Sequence, residues 1–311
     1  MAKIKLALLS GGISDEREVS LNTGKQIFNA LDKKKYEIFQ YNPKTDLRKF
    51  FLDALNKKFN IVFPALHGPF GEDGKLQGML DMIGVPYVFS GCLASALAMN
   101  KSQTKAIAWS VGINTANSVV LEKADKNRLD QFGFPIVIKP IELGSSIGMA
   151  VAKNKKELKD GISRAFKFSK KVMLEQYIQG RELTVAVMGN RQARALPVIE
   201  IIPKNSKWFN YGTKYEIGAT EKICPAKISF EARDMVQKIA IKIYKALGCE
   251  DVARADFIWN EKSGKFYFLE INTIPGMTET SLVPQAARTA GMEFSDFLDK
   301  LIKGAIEKNE R

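Results

Sequence analysis

LEINTIPGMTETSLVP, residues 269–284, decides the fold when it is read with VARADF at 252–257 just upstream. Its first residues close KFYFLEIN (265–272), whose aromatic and β-branched residues predict a strand. Glu270 and Asn272 are two apart, so their side chains share a face. Arg254 and Asp256 have the same spacing on the strand before, and NEKSG (260–264) between the strands reads as a hairpin turn. That turn places Asp256 opposite Glu270 to within about one residue. One sheet face then carries two carboxylates, an amide oxygen and a guanidinium. Hard oxygen donors held this close suit Mg²⁺ bridging the phosphates of a nucleotide. The plainer alternative is an edge hairpin with solvated polar residues, since antiparallel sheets often leave one face in water. By simple alternation Phe266 and Phe268 share the face of Glu270 and Asn272, making it apolar at one end and charged at the other. A buried charge survives only if paired or metal-bound, which favours the metal reading.

The chain has 311 residues, 45% hydrophobic and 26% charged, which is ordinary globular composition for two or three domains. No apolar run approaches the roughly 20 residues of a membrane span, so no membrane partner is expected. MAKIKLALLSGG reads as a first buried strand rather than a secretion signal: its apolar part is short, lacks a small-residue cleavage site and runs into a polar motif. A cytoplasmic location is expected. Cys92, Cys224 and Cys249 are widely separated and have no metal-finger or redox spacing, so they read as inert thiols in a reduced compartment. The balance of 47 basic against 34 acidic residues, formally +13, suits anionic ligands. The lysines are scattered near helix ends and turns rather than interleaved with aromatics, so they read as a solvated surface and no nucleic-acid partner is expected.

Residues 3–10, 36–42, 60–66 and 85–89 read as short apolar strands, with helical patterns at about 17–31, 46–57 and 74–84 between them. This alternation predicts an α/β domain with a parallel sheet, ending near residue 97. A helix follows from Ala98, then strands near 117–121 and 135–140, a Gly/Ser loop, strand 148–152, a helix capped by Asn154 and strand 171–177. Two long strands, 182–189 and 193–202, precede a polar aromatic stretch, 203–224, that fits neither period. Loops of that length inside a compact domain tend to be lids or binding loops. Helix 229–247, with Ser229 as cap and Gly248 as terminator, leads to the carboxylate hairpin and two closing helices.

Four further stretches carry candidate chemistry. LLSGGISDEREVS (8–20) is a strand–turn–helix that reads equally as an anion-binding turn or as a structural turn, with Glu16 at the helix end. ALHGPFGEDGKLQGML (65–80) holds His67, the chain's single histidine, at a strand end where α/β sheets bind ligands. Lys101 opens a helix. Lys139 sits in PIVIKP, where a strand lysine needs an anionic partner, and LGSSIG (143–148) can wrap backbone N–H groups round phosphates without being a P-loop. In MLEQYIQGRELTVAVMG (173–189), Glu175 ends a strand suited to an adenine edge, and Glu182 suits a ribose hydroxyl.

Together these elements resemble the ATP-grasp superfamily, and within it the D-alanine–D-alanine ligases. GGISDEREVS, ALHGPFGEDG, MNK, IVIKP–LGSS, RELTVAV, TKY, CPA, ARADF, LEINTIPGMT and SLVP occur in family order over essentially the whole chain. The resemblance implies a three-domain ATP-grasp architecture, α+β in the ATP-grasp part, with a Rossmann-like N-terminal domain at 1–97, a central subdomain at 98–180 and a C-terminal subdomain at 181–311. It implies ligation of two D-alanines with ATP through a D-alanyl phosphate, a homodimer, and two Mg²⁺ (or Mn²⁺) held by Asp256, Glu270 and Asn272. Lys101, Lys139 and Lys214 would hold phosphates, Glu175, Tyr177 and Ile178 the adenine, and Glu182 the ribose. Glu16 would bind the first ammonium, Arg254 and the Gly276 N–H an oxyanion, and Ser281 with the Leu282 backbone the second carboxylate. His67 would lie near the second substrate. Glu16, Ser145 and Tyr215 would lock a lid at about 203–224. Within it FNYGTKY (209–215) stands where the family often reads YDYEAKY; the lost carboxylate at Asn210 and the flexible Gly212 imply an unusually mobile open lid.

Overall fold

A computed structural model describes residues 2–122, 133–144, 147–204 and 220–309. Strands β1 (Ile4–Leu9), β2 (Tyr36–Tyr41) and β3 (Ile61–Pro64) form a parallel sheet in the order β2-β1-β3. Helices α1 (Arg17–Ala30), α2 (Pro43–Leu55) and α3 (Lys75–Met82) alternate with these strands. β1 is buried on both sides: Leu6 and Leu8 enter one apolar cluster, Ala7 and Leu9 another. This is why it reads as an unbroken apolar run. The expected strand at 85–89 is reduced to a single parallel bridge, Val62 with Tyr87.

The helix expected from Ala98 is two helices, α4 (Cys92–Met99) and α5 (Lys101–Ser110). Asn100 separates them with an extended backbone, and its side chain accepts from the Gln103 N–H. An Asn cap competes with helix continuation, which explains the break. Next come β4 (Ser118–Glu122), β5 (Ile136–Pro140), β6 (Ala150–Ala152), α6 (Lys155–Ala165) and β7 (Lys171–Gln176). Their antiparallel sheet has the order β4-β7-β5-β6, with α6 packed on it through Leu158 and Ala165. Asn154 accepts from the Glu157 N–H, the cap read from the sequence.

The third sheet runs β11-β10-β8-β12-β13, with β9 added beside β8. Its strands are β8 (Arg181–Met188), β9 (Arg194–Ala195), β10 (Ile199–Pro203), β11 (Thr220–Ile223), β12 (Val252–Asn260) and β13 (Lys265–Asn272). The single strand expected at 193–202 is interrupted: Leu196 still donates to the Ala186 carbonyl, but Pro197 has no N–H to continue the ladder. The end of the expected loop 203–224 is itself a strand, since Thr220 pairs with Pro203 and Ile223 with Glu200.

Helix α7 (Phe230–Ala246) covers one face of this sheet, against Leu183, Val185, Ala255 and Phe257. The closing helices α8 (Leu282–Thr289) and α9 (Phe294–Asn309) turn back onto the parallel sheet, where Val283, Phe297 and Leu301 join Leu6 and Leu8. Buried Asp251 ties these parts together. It accepts from the Phe89 N–H at 2.7 Å, from Lys308 at 2.9 Å and from Asn190 at 3.0 Å.

Candidate functional site

The hairpin brings Asp256 directly opposite Glu270, and Arg254 opposite Asn272, as the turn spacing predicts. One detail corrects the sequence reading. The register shifts between Asp256 and Phe257, where Phe257 pairs with Phe268 and Leu269 is the extra residue. This bulge inverts the alternation, so Phe266 and Phe268 lie in the apolar core under α7 while Glu270 and Asn272 face the other way. The functional face is set apart from the core by that one inserted residue.

Two cavities meet on this face. The larger, ≈ 380 Å³, lies between the two antiparallel sheets and is lined by Lys139 and Glu175 from one side and Glu182, Asp256 and Ile258 from the other, with Tyr177 and Ile178 at the strand crossing. The smaller, ≈ 170 Å³, is lined by Glu16, His67, Arg254, Asn272, Gly276, Ser281 and Leu282. Lys101 and Glu270 line both. The described residues expected around a nucleotide and those expected around a small zwitterion are therefore sorted into two adjoining chambers, Asn272 alone falling in the smaller one.

Electrostatics hold the partition. Arg254 donates to Asp256 through Nε and Nη2, each at 2.9 Å, and the Thr184 hydroxyl donates to the same carboxylate at 2.5 Å. Burial alone would lower the Arg254 pKa, but the Asp256 carboxylate raises it above the usual arginine value. Lys101 donates to the Leu143 carbonyl at 2.6 Å and lies 3.3 Å from Glu270. Glu175 is buried between two ammonium groups, Lys139 at 2.5 Å and Lys105. Burial pushes its carboxyl up, and the two lysines outweigh it and hold it below the ordinary value. Lys105 carries no local sequence signal, yet it lies one helical turn after Lys101 on the buried face of α5.

The smaller chamber is built by turns. Gly11 and Gly12 have φ of +93° and +82°, a conformation other residues resist. Their N–H groups go to Ser20 Oγ and Asn42 Oδ1, so this turn is structural rather than an anion cradle. It delivers Glu16 to the N-cap of α1. The Ser14 hydroxyl donates to the His67 carbonyl at 2.7 Å, linking the two loops. His67 Nε2 lies 3.2 Å from Thr23 Oγ1, and burial, against the charge of Glu16, draws its pKa below the ordinary value. Gly276 leaves room where a Cβ would stand 3.0 Å from Ser281 Oγ.

Glu72, also missed in the sequence, lines the same chamber and accepts from the Gly68 N–H at 2.6 Å. Burial, then the neighbouring Glu16, pushes its carboxyl up to about 8. Its folded pKa exceeds the unfolded one, so its stabilising proton is fully present below about pH 4.5 and is lost as pH rises through about 8. Glu72→Gln keeps the acceptor and removes the titration. Its thermal midpoint should therefore fall less than the wild type's between about pH 6 and pH 9. Parallel falls would refute this.

Among the described residues no three His, Cys, Asp or Glu side chains form a metal cluster. The donor set still fits a hard divalent cation, because Asp256, Glu270 and Asn272 offer oxygen only and Mg²⁺ keeps water and phosphate oxygens in its remaining positions. Ser145, Lys214 and Tyr215, with most of the expected lid, lie outside the described residues.

Residues 107–303 match the family model described as D-ala D-ala ligase C-terminus, and residues 40–92 match D-ala D-ala ligase N-terminus. The D-alanine–D-alanine ligase of Syntrophobacter fumaroxidans is 43% identical, covering 98% of both chains. That of Desulfotalea psychrophila is 44% identical, covering 99% of this chain and 97% of the relative. Among solved structures, the Bacillus anthracis D-alanine–D-alanine ligase complexed with ATP superposes with a TM-score of 0.85 at 32% identity, over 99% of both chains. The VanG D-Ala:D-Ser ligase of Enterococcus faecalis gives 0.83 at 32%, over 97% of this chain and 99% of that one.

Proposed function

The chain belongs to the D-alanine–D-alanine ligase family, and from that premise we infer that it joins two D-alanines into D-alanyl-D-alanine with ATP, releasing ADP and phosphate, for peptidoglycan precursor synthesis. The observation that carries this reading is the shared wall of the two chambers, where Lys101 and Glu270 face both. A nucleotide in the larger chamber would point its γ-phosphate at an amino-acid carboxylate in the smaller.

A carboxylate is a poor acyl donor. One of its oxygens bonds to the γ-phosphorus as the bond to ADP breaks, giving D-alanyl phosphate. The amine of the second D-alanine then bonds to the acyl carbon, and phosphate leaves with the carboxylate oxygen. In this proposal Lys101, Lys139 and Lys214 neutralise the phosphates. Glu175, Tyr177 and Ile178 take the adenine and Glu182 the ribose. Glu16 takes the first ammonium, Arg254 and the Gly276 N–H the tetrahedral oxyanion, and Ser281 and the Leu282 N–H the second carboxylate. His67, whose pKa burial draws below the ordinary value, would lie beside the second amino acid. Asp256, Glu270 and Asn272 would hold two Mg²⁺ or Mn²⁺, whose charge offsets that on the transferring oxygens. Glu16, Ser145 and Tyr215 would fasten the lid and keep water from the acyl phosphate.

A division at residues 97 and 180, a homodimer and a cytoplasmic setting, where ATP is supplied, belong to the same reading. No helix among the described residues is long and apolar enough to cross a membrane. The test is phosphate release from Mg-ATP with D-alanine, L-alanine, or D-alanine plus D-lactate or D-serine, with products identified by mass. D-alanyl-D-alanine from D-alanine alone is expected. Turnover only when D-lactate or D-serine is added would contradict the choice of second substrate.

A further inference from the structure

Lys222 has no role in the reaction described above, yet it lines the smaller chamber. It lies on β11, whose pairing with β10 fixes its position. Its ammonium donates to the Thr280 carbonyl at 3.2 Å, one residue before Ser281. Burial, and then the positive charge of Arg254, draws its pKa below the ordinary lysine value, so two cations press on one another across this wall. The N-terminus of α8 opens on the same wall. Ser281 makes no side-chain cap there, its hydroxyl being engaged by Thr278 instead, and Leu282 lines the chamber. Two neighbouring cations and an uncapped helix start favour an anion of the size that this small chamber admits.

We propose that Lys222 is a carboxylate-binding residue for the second amino acid, donating to the group that becomes the C-terminal carboxylate of the dipeptide. The proposal rests on the ligase reading. It adds a charged partner to Ser281 and Leu282, from the strand at the opposite edge of the sheet from the hairpin. In the ligase reading the phosphates are held by Lys139 in the larger chamber and by Lys101 on the wall that the two chambers share, so the anion for Lys222, which lines only the smaller chamber, is a carboxylate.

The test uses Lys222→Gln and Lys222→Arg in two assays. Hydroxylamine intercepts the acyl phosphate: its nitrogen bonds to the acyl carbon, phosphate leaves, and the hydroxamate reports the first step with no second carboxylate involved. Dipeptide formation reports both steps. Lys222→Gln should raise the D-alanine concentration for half-maximal dipeptide formation about tenfold, the worth of one hydrogen bond to a charged group. Hydroxamate formation should stay within about twofold, and Lys222→Arg should recover most of the loss, because the guanidinium also pairs with carboxylate. Equal losses in both assays would show that Lys222 only props the turn at Thr280 and would overturn the proposal, as would an unchanged dipeptide saturation curve. A wild-type protein with no D-alanine-dependent ATP turnover would remove the ligase reading, and the proposal with it.

Discussion

Arg254→Met should lower the rate of dipeptide formation by roughly 100- to 1000-fold, the range for losing an oxyanion donor from a preorganised site. The side chain is held for this work: its Nε and Nη2 are fixed on Asp256 at 2.9 Å, and it lines the smaller chamber together with Asn272 and Gly276. Methionine fills the space without donating. It also leaves the buried Asp256 carboxylate with the Thr184 hydroxyl and without its counter-charge. A second effect follows, because an unpaired buried carboxylate costs about 3–5 kcal/mol of stability. Rate measurements at saturating ATP and D-alanine on folded variant would separate the two. A loss of less than tenfold would show that Arg254 serves the fold and not the reaction.

Glu175→Gln should be the most destabilising isosteric change in the molecule, by about 3–5 kcal/mol, since it leaves Lys105 and Lys139 buried with an amide in place of their shared anion. Urea denaturation of the first cooperative unit to melt measures it. Lys105→Met should cost less, because Glu175 keeps Lys139. The pH dependence has a definite sign. The folded pKa of Glu175 lies below its ordinary 4.5, so its contribution is present above that value and disappears as pH falls through the folded pKa. The gap between wild type and Glu175→Gln should therefore close in acid. A gap that widens on acidification would mean that the two ammonium groups do not stabilise the carboxylate.

The Asp256–Glu270 pairing was readable because a short polar turn and strict alternation leave few registers for a hairpin. The bulge at Leu269 was not, because leucine is as comfortable on either face and nothing local marks an inserted residue. Alternation therefore put Phe266 and Phe268 on the wrong side while placing the polar residues correctly. The break at Asn100 is hard to see in the sequence, because helix-forming residues stand on both sides of the Asn cap. Glu175 was read through its backbone, and its side-chain partnership with Lys105 depends on a helix and a sheet that are 70 residues apart in the chain. Glu72 was hidden for the same reason, since a carboxyl in a Gly-rich loop looks solvated until the fold buries it beside Glu16. Lys222 fell inside a stretch read as irregular, and only the pairing of Thr220–Ile223 with Glu200–Pro203 gives it a fixed position.

The most direct test of the account follows an oxygen atom. With D-alanine labelled by ¹⁸O in both carboxylate oxygens, transfer of the γ-phosphoryl group onto that carboxylate requires one labelled oxygen to leave in the released phosphate. Mass spectrometry of the products should find D-alanyl-D-alanine together with phosphate carrying one ¹⁸O for each peptide bond made. Dipeptide accompanied by unlabelled phosphate would contradict passage through D-alanyl phosphate. It would also leave the shared wall of Lys101 and Glu270 without the role assigned to it.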